Sequence, residues 1–342
     1  MRGGGTAEVE DIVRSAVVFA IPMVDRFRGV DVREGILVRG PAGWAEFAPF
    51  RDYDDQTATG WLAAALDSAL HPWPAAVRDT VAVNTTVPIV EPERAHALVL
   101  ASGCRTAKVK VGGPGTDPGA DRDRLRAVRD ALGPAGHIRI DANALWDTAT
   151  ALALIPGHAE AAGGLEYVEQ PCRTIQELVT VRAGVDVPIA ADESIRLASD
   201  PLAVARAGAA DVAVLKVAPL GGVYATLRIA AQIRDEAAMD VVISSAVDSA
   251  VGLAAGVAAA ACLPGTPRAC GLGTSSLLVG DVSTERPLPK DGRLPAAPHA
   301  PEPDLVDAWP ADENTSQYWR ARLRRVTDLL AAQQLSPEVQ RR

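Results

Sequence analysis

The chain has 342 residues, 48% of them hydrophobic and 23% charged, with a formal net charge of −9. That describes a soluble globular protein with room for one barrel of about 250 residues and a smaller domain. The acidic balance speaks against nonspecific nucleic-acid binding, which needs a basic surface. Cys104, Cys172, Cys262 and Cys270 form no CxxC pair and lie in or beside apolar segments, so reduced, buried thiols are expected. The opening MRGGGTAEVEDIVRSAVVFAIPM carries acids where a secretory leader has its basic region, and Pro22 breaks its apolar part. The most apolar run, 250–263, is rich in Ala and Gly and too short for a bilayer. A cytoplasmic protein without a membrane partner is expected.

Residues 1–80 read as a small α+β domain, with strands at 17–21, 35–39 and 44–50. A helix follows at 57–70, with apolar positions at Trp61, Leu62, Ala65, Leu66 and Ala69. The polar, glycine-containing stretch 26–31 (RFRGVD) reads as a mobile loop. From 81 to 282 the pattern is regular. Eight strands are expected at 81–87, 107–111, 138–141, 167–169, 188–191, 212–216, 241–244 and 269–272. Helical windows lie between them, near 92–103, 119–132, 148–156, 174–183, 200–207, 222–237 and 248–262. Pro92 suits a first helical turn, and Ser199, Asp200 and Pro201 read as a cap. Such alternation means a parallel barrel or a doubly wound sheet. Residues 283–342 form a tail: a proline-rich extended connection (RPLPKDGRLPAAPHAPEPD), then an amphipathic helix at 314–333. Its Leu323, Val326, Leu329 and Leu330 share one side and should pack back on the N-terminal domain or the barrel's flank.

Five consecutive strands end in a charge: Lys110, Asp141, Glu169, Asp192 and Lys216. A buried charge is unfavourable unless it is paired or binds a metal. A parallel barrel gathers its active site at the C-terminal ends of its strands, so these positions favour the barrel and mark its site. The carboxylates of Asp141, Glu169 and Asp192 would repel one another unless a cation sits among them. An all-oxygen shell suits Mg²⁺, and no His or Cys at an equivalent position favours zinc. Taken singly, each acid would equally pair with a base or cap the next helix.

Lys110 and Lys216 stand on the second and sixth strands and would face each other across the barrel. A lysine beside a dication and another lysine has a lowered pKa and serves as a base near neutral pH. The implied reaction is proton abstraction α to a carboxylate, with the metal holding the resulting enediolate. Taken alone, Lys110 would read as a snorkelling surface lysine, but Lys108 lies on the same face, so both lysines of KVK point inward. Asn143 and Glu193 read as partners that orient a metal ligand or Lys108. Ser244, Ser245 and Ser249 either grip a substrate carboxylate or cap the next helix.

The KxK of Lys108 and Lys110, the three acids and Lys216, in this order, resemble the enolase superfamily, specifically its muconate-lactonizing subgroup. The resemblance spans nearly the whole chain. It implies an α/β protein, a modified TIM barrel of (β/α)₇β type, with an α+β capping domain formed by the N-terminal segment and the C-terminal tail. Within the subgroup, GILVRGPAGWAEFAPFRDYDD, NTTVP, KVKVG, RIDANALWD, YVEQPC and SSAVDSAVGLAAG look most like the short dehydratases of menaquinone biosynthesis. The resemblance implies loss of water from 2-succinyl-6-hydroxy-2,4-cyclohexadiene-1-carboxylate. Asp141, Glu169 and Asp192 would bind Mg²⁺, with Mn²⁺ as a substitute. Lys110 would act as base and then as acid on one face, and Lys216 as a cation on the other. The loop at 23–28 (MVDRFR) departs from the family's basic capping loop, which bears on lid closure.

An N-acylamino acid racemase uses the same five residues and stays open as an alternative. A dipeptide epimerase wants Asp-x-Asp after the last strand, where this chain has GLGTSS. A Schiff-base lyase acting through Lys110 or Lys216 leaves the three acids without a purpose. A non-catalytic barrel would have lost a ligand or a base. The expected partner is a small-molecule carboxylate, with the oligomeric state left open, a monomer included.

Overall fold

The computed structural model describes residues 6–27, 29–113, 115–196, 200–265 and 268–335. Helix α1 (Thr6–Arg14), which sequence periodicity did not reveal, leads into three antiparallel strands, β1 (Val17–Phe27), β2 (Val30–Gly40) and β3 (Gly43–Phe47). Helix α2 (Thr59–Leu70) covers this sheet with the expected face: Trp61, Leu62, Ala65, Leu66 and Ala69 join Ile36, Val38 and Phe47 in one core. The stretch 26–31 is the tip of the β1–β2 hairpin rather than a separate loop. Phe27 pairs with Val30 around Gly29, whose φ of 76° needs a residue without Cβ, and Arg28 lies outside the described residues.

The barrel follows as β4 (Thr80–Val87), α3 (Pro92–Ser102), β5 (Thr106–Lys110), α4 (Pro118–Leu132), β6 (His137–Asp141) and α5 (Thr148–Ala161). It continues through β7 (Tyr167–Glu169), α6 (Ile175–Gly184), β8 (Ile189–Ala191), α7 (Glu193–Arg196) and α8 (Ala203–Arg206). It ends with β9 (Val212–Lys216), α9 (Val223–Ala237), β10 (Asp240–Ser244), α10 (Ala250–Cys262) and β11 (Cys270–Gly273). The eight strands are parallel and run in sequence order, and pairing of β11 with β4 closes the circle.

Several boundaries differ from the sequence reading, each for a local reason. Helix α5 runs past Pro156 because Ile155, His158 and Ala161 are buried against the barrel, and that packing outweighs the lost backbone hydrogen bond. The expected 200–207 helix shrinks to α8. Asp200 and Pro201 do not cap it: Leu202 precedes its first turn without a side-chain cap, the Asp200 carboxylate accepts the Leu202 amide at 3.0 Å, and Ser199 lies outside the described residues. Pro92 occupies the first turn of α3, as expected. The proline-rich connection contains a strand, β12 (Arg293–Pro295), antiparallel to the start of β4. A reversal at Asp291 and Gly292, both at positive φ, turns the chain, and Leu294 is buried. Pro295 ends the strand at an edge where no donor is needed.

Helix α11 (Glu313–Leu335) returns to the N-terminal sheet, where Trp319, Leu323, Val326 and Leu330 enter the core of β2, β3 and α2. Trp319 meets Phe47 edge-on at 6.2 Å. The seal between cap and barrel is itself apolar: Phe19, Ile21, Leu37 and Phe50 pack with Val247, Val251 and Leu277. Fully buried Arg139 plugs the barrel floor, donating to Glu166 at 2.6 Å, to Asn84 at 3.0 Å and to the Ala269 carbonyl at 2.7 Å. All four cysteines are free, but Cys262 is only half-buried, unlike the other three. Among the described residues no helix is long and apolar enough to cross a membrane.

Candidate active site

Strand register sets Lys110, Asp141 and Glu169 at one level of the barrel, while Asp192 follows the end of β8 and Lys216 closes β9. Lys110 pairs with Asp141 across β5 and β6, Asp141 with Glu169 across β6 and β7, and Lys216 with Ser244 across β9 and β10. Strands β5 and β9 stand four apart in an eight-strand ring, so Lys110 and Lys216 enter from opposite sides. Both line one small cavity of about 40 Å³, together with Phe27 and Phe50 from the cap and Ser244 and Ser245 from the barrel. The Lys110 ammonium lies 5.2 Å from the Phe27 ring, which brings the hairpin tip over the base candidate.

The lysines and acids interlock. Lys110 Nζ donates to Asp141 Oδ2 at 2.5 Å and to Asn143 Oδ1 at 2.7 Å. Lys108 Nζ donates to Glu169 Oε1 at 2.9 Å and sits 3.2 Å from Asp141 Oδ2. Lys216 Nζ donates to Asp192 Oδ2 at 2.6 Å. Asn143 therefore orients Lys110 rather than Lys108, because the backbone turns left-handed at Asn143 (φ 48°) and throws its amide toward the strand end. Its Nδ2 reaches Glu193 Oε1 at 3.3 Å.

Burial decides the electrostatics. Burial and the neighbouring Lys108 charge lower Lys110, against the pull of Asp141. Burial acts on Lys108 too, but the combined Glu169 and Asp141 charges override it and hold the ammonium above its usual range. Asp192 resists burial through Arg196 and Lys216 and is held at about 2. Asp141 is likewise held far below the usual carboxylate range, because Lys110 and Lys108 outweigh its burial. Glu169 moves the other way: burial and then the Asp141 charge push it up to about 7. Its Oε2 is buried without a hydrogen-bond partner.

Among the described residues no three acidic, His or Cys side chains stand close enough by themselves to hold an ion. The lysine ammonium groups lie between the carboxylates and take up their charge. The donor set nevertheless fits a hard dication. Asp141, Glu169 and Asp192 offer only oxygen, all are buried, and Glu169 keeps one oxygen without a hydrogen-bond partner.

Ser244 and Ser245 border the cavity, with their hydroxyls against the Gly271 carbonyl at 3.3 Å and Thr274 Oγ1 at 2.7 Å. Ser249 does not. Its amide and hydroxyl donate to Glu46 Oε2 of the cap, the amide at 2.9 Å. Two further residues escaped the sequence reading. Gln170 receives the amides of Asp192 and Ser194 at 2.9 and 3.1 Å on Oε1, stitching the ends of β7 and β8 together. Arg196 donates to Asp192 and Glu193 at 2.8 and 2.6 Å. The spacing of DESIR, with the base three and four residues after the acids, was a signal for it. Nothing in the local sequence of Phe27 or Phe50 pointed to the cavity.

A closed parallel barrel with its charges on the strand ends and an antiparallel cap over them is the enolase-superfamily arrangement. Two family models bear this out: "Enolase C-terminal domain-like" matches residues 91–301 and "Enolase N-terminal domain-like" matches residues 18–69. The chain belongs to that superfamily and, within it, to the family of the o-succinylbenzoate synthases. It is 57% identical to the o-succinylbenzoate synthase of Thermobifida fusca, over 81% of this chain and 86% of that one. It is 49% identical to that of Mycolicibacterium smegmatis, over 92% of this chain and 96% of that one. A dipeptide epimerase from Enterococcus faecalis, solved with Mg and the dipeptide L-Leu-L-Tyr, shares the fold. Its TM-score is 0.70 at 22% identity, with 84% of this chain and 97% of that one covered. Enzymes of the superfamily use a divalent metal.

Proposed function

We propose that this enzyme is an o-succinylbenzoate synthase. It removes water from 2-succinyl-6-hydroxy-2,4-cyclohexadiene-1-carboxylate to leave 2-succinylbenzoate, a step of menaquinone biosynthesis. One observation carries the reading: a single cavity with an ammonium-bearing strand end on either side, in a chain whose near-full-length relatives are such synthases.

Lys110 takes the proton from the ring carbon α to the carboxylate. Its lowered pKa supports the neutral amine that this step needs, and Asn143 aims it. The same group, now an ammonium, returns the proton to the departing hydroxyl, so both bonds break on one face and the ring becomes aromatic. Lys216 faces the enediolate from the opposite side, where its ammonium would meet the negative charge that develops on it. Phe27 and Phe50 shut water away from the ring. Asp141, Glu169 and Asp192 would hold Mg²⁺, or Mn²⁺ in its place, which when bound polarises the substrate carboxylate and offsets the charge of the three acids.

Residues 81–282 supply this chemistry, and residues 1–80 with 283–342 close it, β12 being the part of the tail that stays with the barrel. Four unpaired cysteines support a cytoplasmic setting. The absence of an acid from GLGTSS supports the synthase over a dipeptide epimerase.

The test is to give the purified protein the cyclohexadiene with Mg²⁺ and follow aromatic absorbance, with N-succinylamino acids run in parallel in D₂O. Rapid aromatisation that EDTA abolishes is expected. Deuterium uptake at an amino-acid α-carbon without any aromatisation would move the enzyme to the racemases.

A further inference from the structure

One strut joins the cap to the candidate metal ligands. The loop 48–58 between β3 and α2 carries Tyr53, whose hydroxyl accepts a hydrogen bond from Arg196 Nη1. Arg196 closes α7 and is buried, with its side chain 2% exposed. Its Nε donates to Asp192 Oδ1 at 2.8 Å and its Nη2 to Glu193 Oε1 at 2.6 Å. A planar guanidinium holding three partners in three directions has one orientation, which a flexible ammonium would not have.

Tyr53 is itself held from behind. Arg322 of α11, 1% exposed, donates to the Phe50 carbonyl at 3.1 Å and to the Tyr53 carbonyl at 2.5 Å. Arg322 and Arg325 also grip the Asp55 carboxylate at 3.2 and 2.6 Å. The path from α11 through the loop to Arg196 and Asp192 is thus continuous in hydrogen bonds. Asp192 lies on a bend just past β8, outside the strand ladder, so its side chain depends on neighbours for its direction. Arg196 takes Oδ1 and Lys216 takes Oδ2.

We propose that Arg196 is a positioning residue and Tyr53 the latch by which the cap engages it. Seating of loop 48–58 orients Asp192 and so sets the protein's affinity for its divalent ion. The inference rests on the reading of Asp192 as a ligand. Coupling of this kind is reciprocal: if the seated loop strengthens ion binding, the ion steadies the loop.

Tyr53→Phe removes only the hydroxyl and keeps the ring that lies against Arg196 and Trp61. The experiment is calorimetric titration of Mg²⁺ into metal-stripped, substrate-free protein. It compares wild type, Tyr53→Phe, Arg196→Lys and the double variant, each first checked for an unchanged melting temperature. Tyr53→Phe should weaken binding about tenfold and Arg196→Lys about 10–100-fold. The double variant should be no weaker than Arg196→Lys, because the two act in series. Hydrogen exchange in 48–58 should slow on adding Mg²⁺ to wild type but not to Tyr53→Phe. If Arg196→Lys fails to fold, Tyr53→Phe decides alone. Affinity of Tyr53→Phe within about twofold of wild type, fully additive losses, or a wild type that binds no divalent ion would each overturn the latch. A wild type that binds Mg²⁺ with the predicted variant losses, yet does not aromatise the cyclohexadiene, leaves the latch standing and removes the synthase.

Discussion

Lys110 and Glu169 flank Asp141 at one level of the same buried ring, and burial moves both toward their neutral forms. For Lys110 the consequence is a base that can work without strong alkali. Lys110→Ala should lower kcat by roughly 10³-fold, the scale of general acid–base catalysis, while Mg²⁺ affinity by calorimetry is kept. Turnover near wild type would remove the base assignment. Asp141→Asn should weaken Mg²⁺ binding at least about tenfold in the same titration. The charged strand ends were readable because a lysine or acid closing an apolar strand contradicts its surroundings. Gln170 and Tyr53 contradicted nothing: a buried amide and a tyrosine in a polar loop acquire their roles only from neighbours 22 and 143 residues away.

Elements differ in how much of their boundary is local. Strands β5 to β9 end where the sequence reading placed them, or within a residue, because apolar runs broken by a charge are a short-range signal. Pro156 and Pro295 misled the reading for the opposite reason, since the packing of α5 and the pairing of β12 come from distant parts of the chain. Arg139 on β6 is the strongest case. The sequence makes it one more basic residue in HIRID, whereas the fold buries it completely at the barrel floor, over the Tyr167 ring at 4.6 Å. Arg139→Met should destabilise the protein by about 3 kcal/mol in urea unfolding, because Glu166 and Asn84 lose a buried partner. A loss below about 1 kcal/mol would show that Arg268, 2.9 Å from Glu166, suffices.

At the scale of the whole molecule, cap and barrel share an apolar seal with buried acidic groups inside it, Glu46 and Asp248. Glu46 of β3 faces Asp248, Arg33 and the hydroxyl and amide of Ser249. Burial, and then the Asp248 charge, lift it from 4.5 to about 7 against the attraction of Arg33. The folded protein therefore binds more protons than the unfolded chain between those two values. Glu46's contribution to stability is complete below pH 4.5 and is lost as pH rises through 7, on the order of 3 kcal/mol. Urea unfolding at pH 5 to 8 should show wild-type stability falling with pH relative to Glu46→Gln, which cannot ionise. Parallel profiles for the two would contradict the assignment. Sequence pattern announced both a cap and a barrel, but not that Arg33, Glu46 and Ser249, over 200 residues apart at the extremes, would meet between them.

The central claim is that a divalent ion and Lys110 together drive the dehydration, and the most direct measurement is a metal titration of turnover. Metal-stripped wild type and Lys110→Ala are mixed with the cyclohexadiene, and aromatic product is followed as Mg²⁺ is added. The account predicts no product from either protein without metal, a saturable rise for wild type, and no rise for Lys110→Ala although it binds the ion. Product formed without metal, or a Lys110→Ala curve that follows wild type, would contradict it.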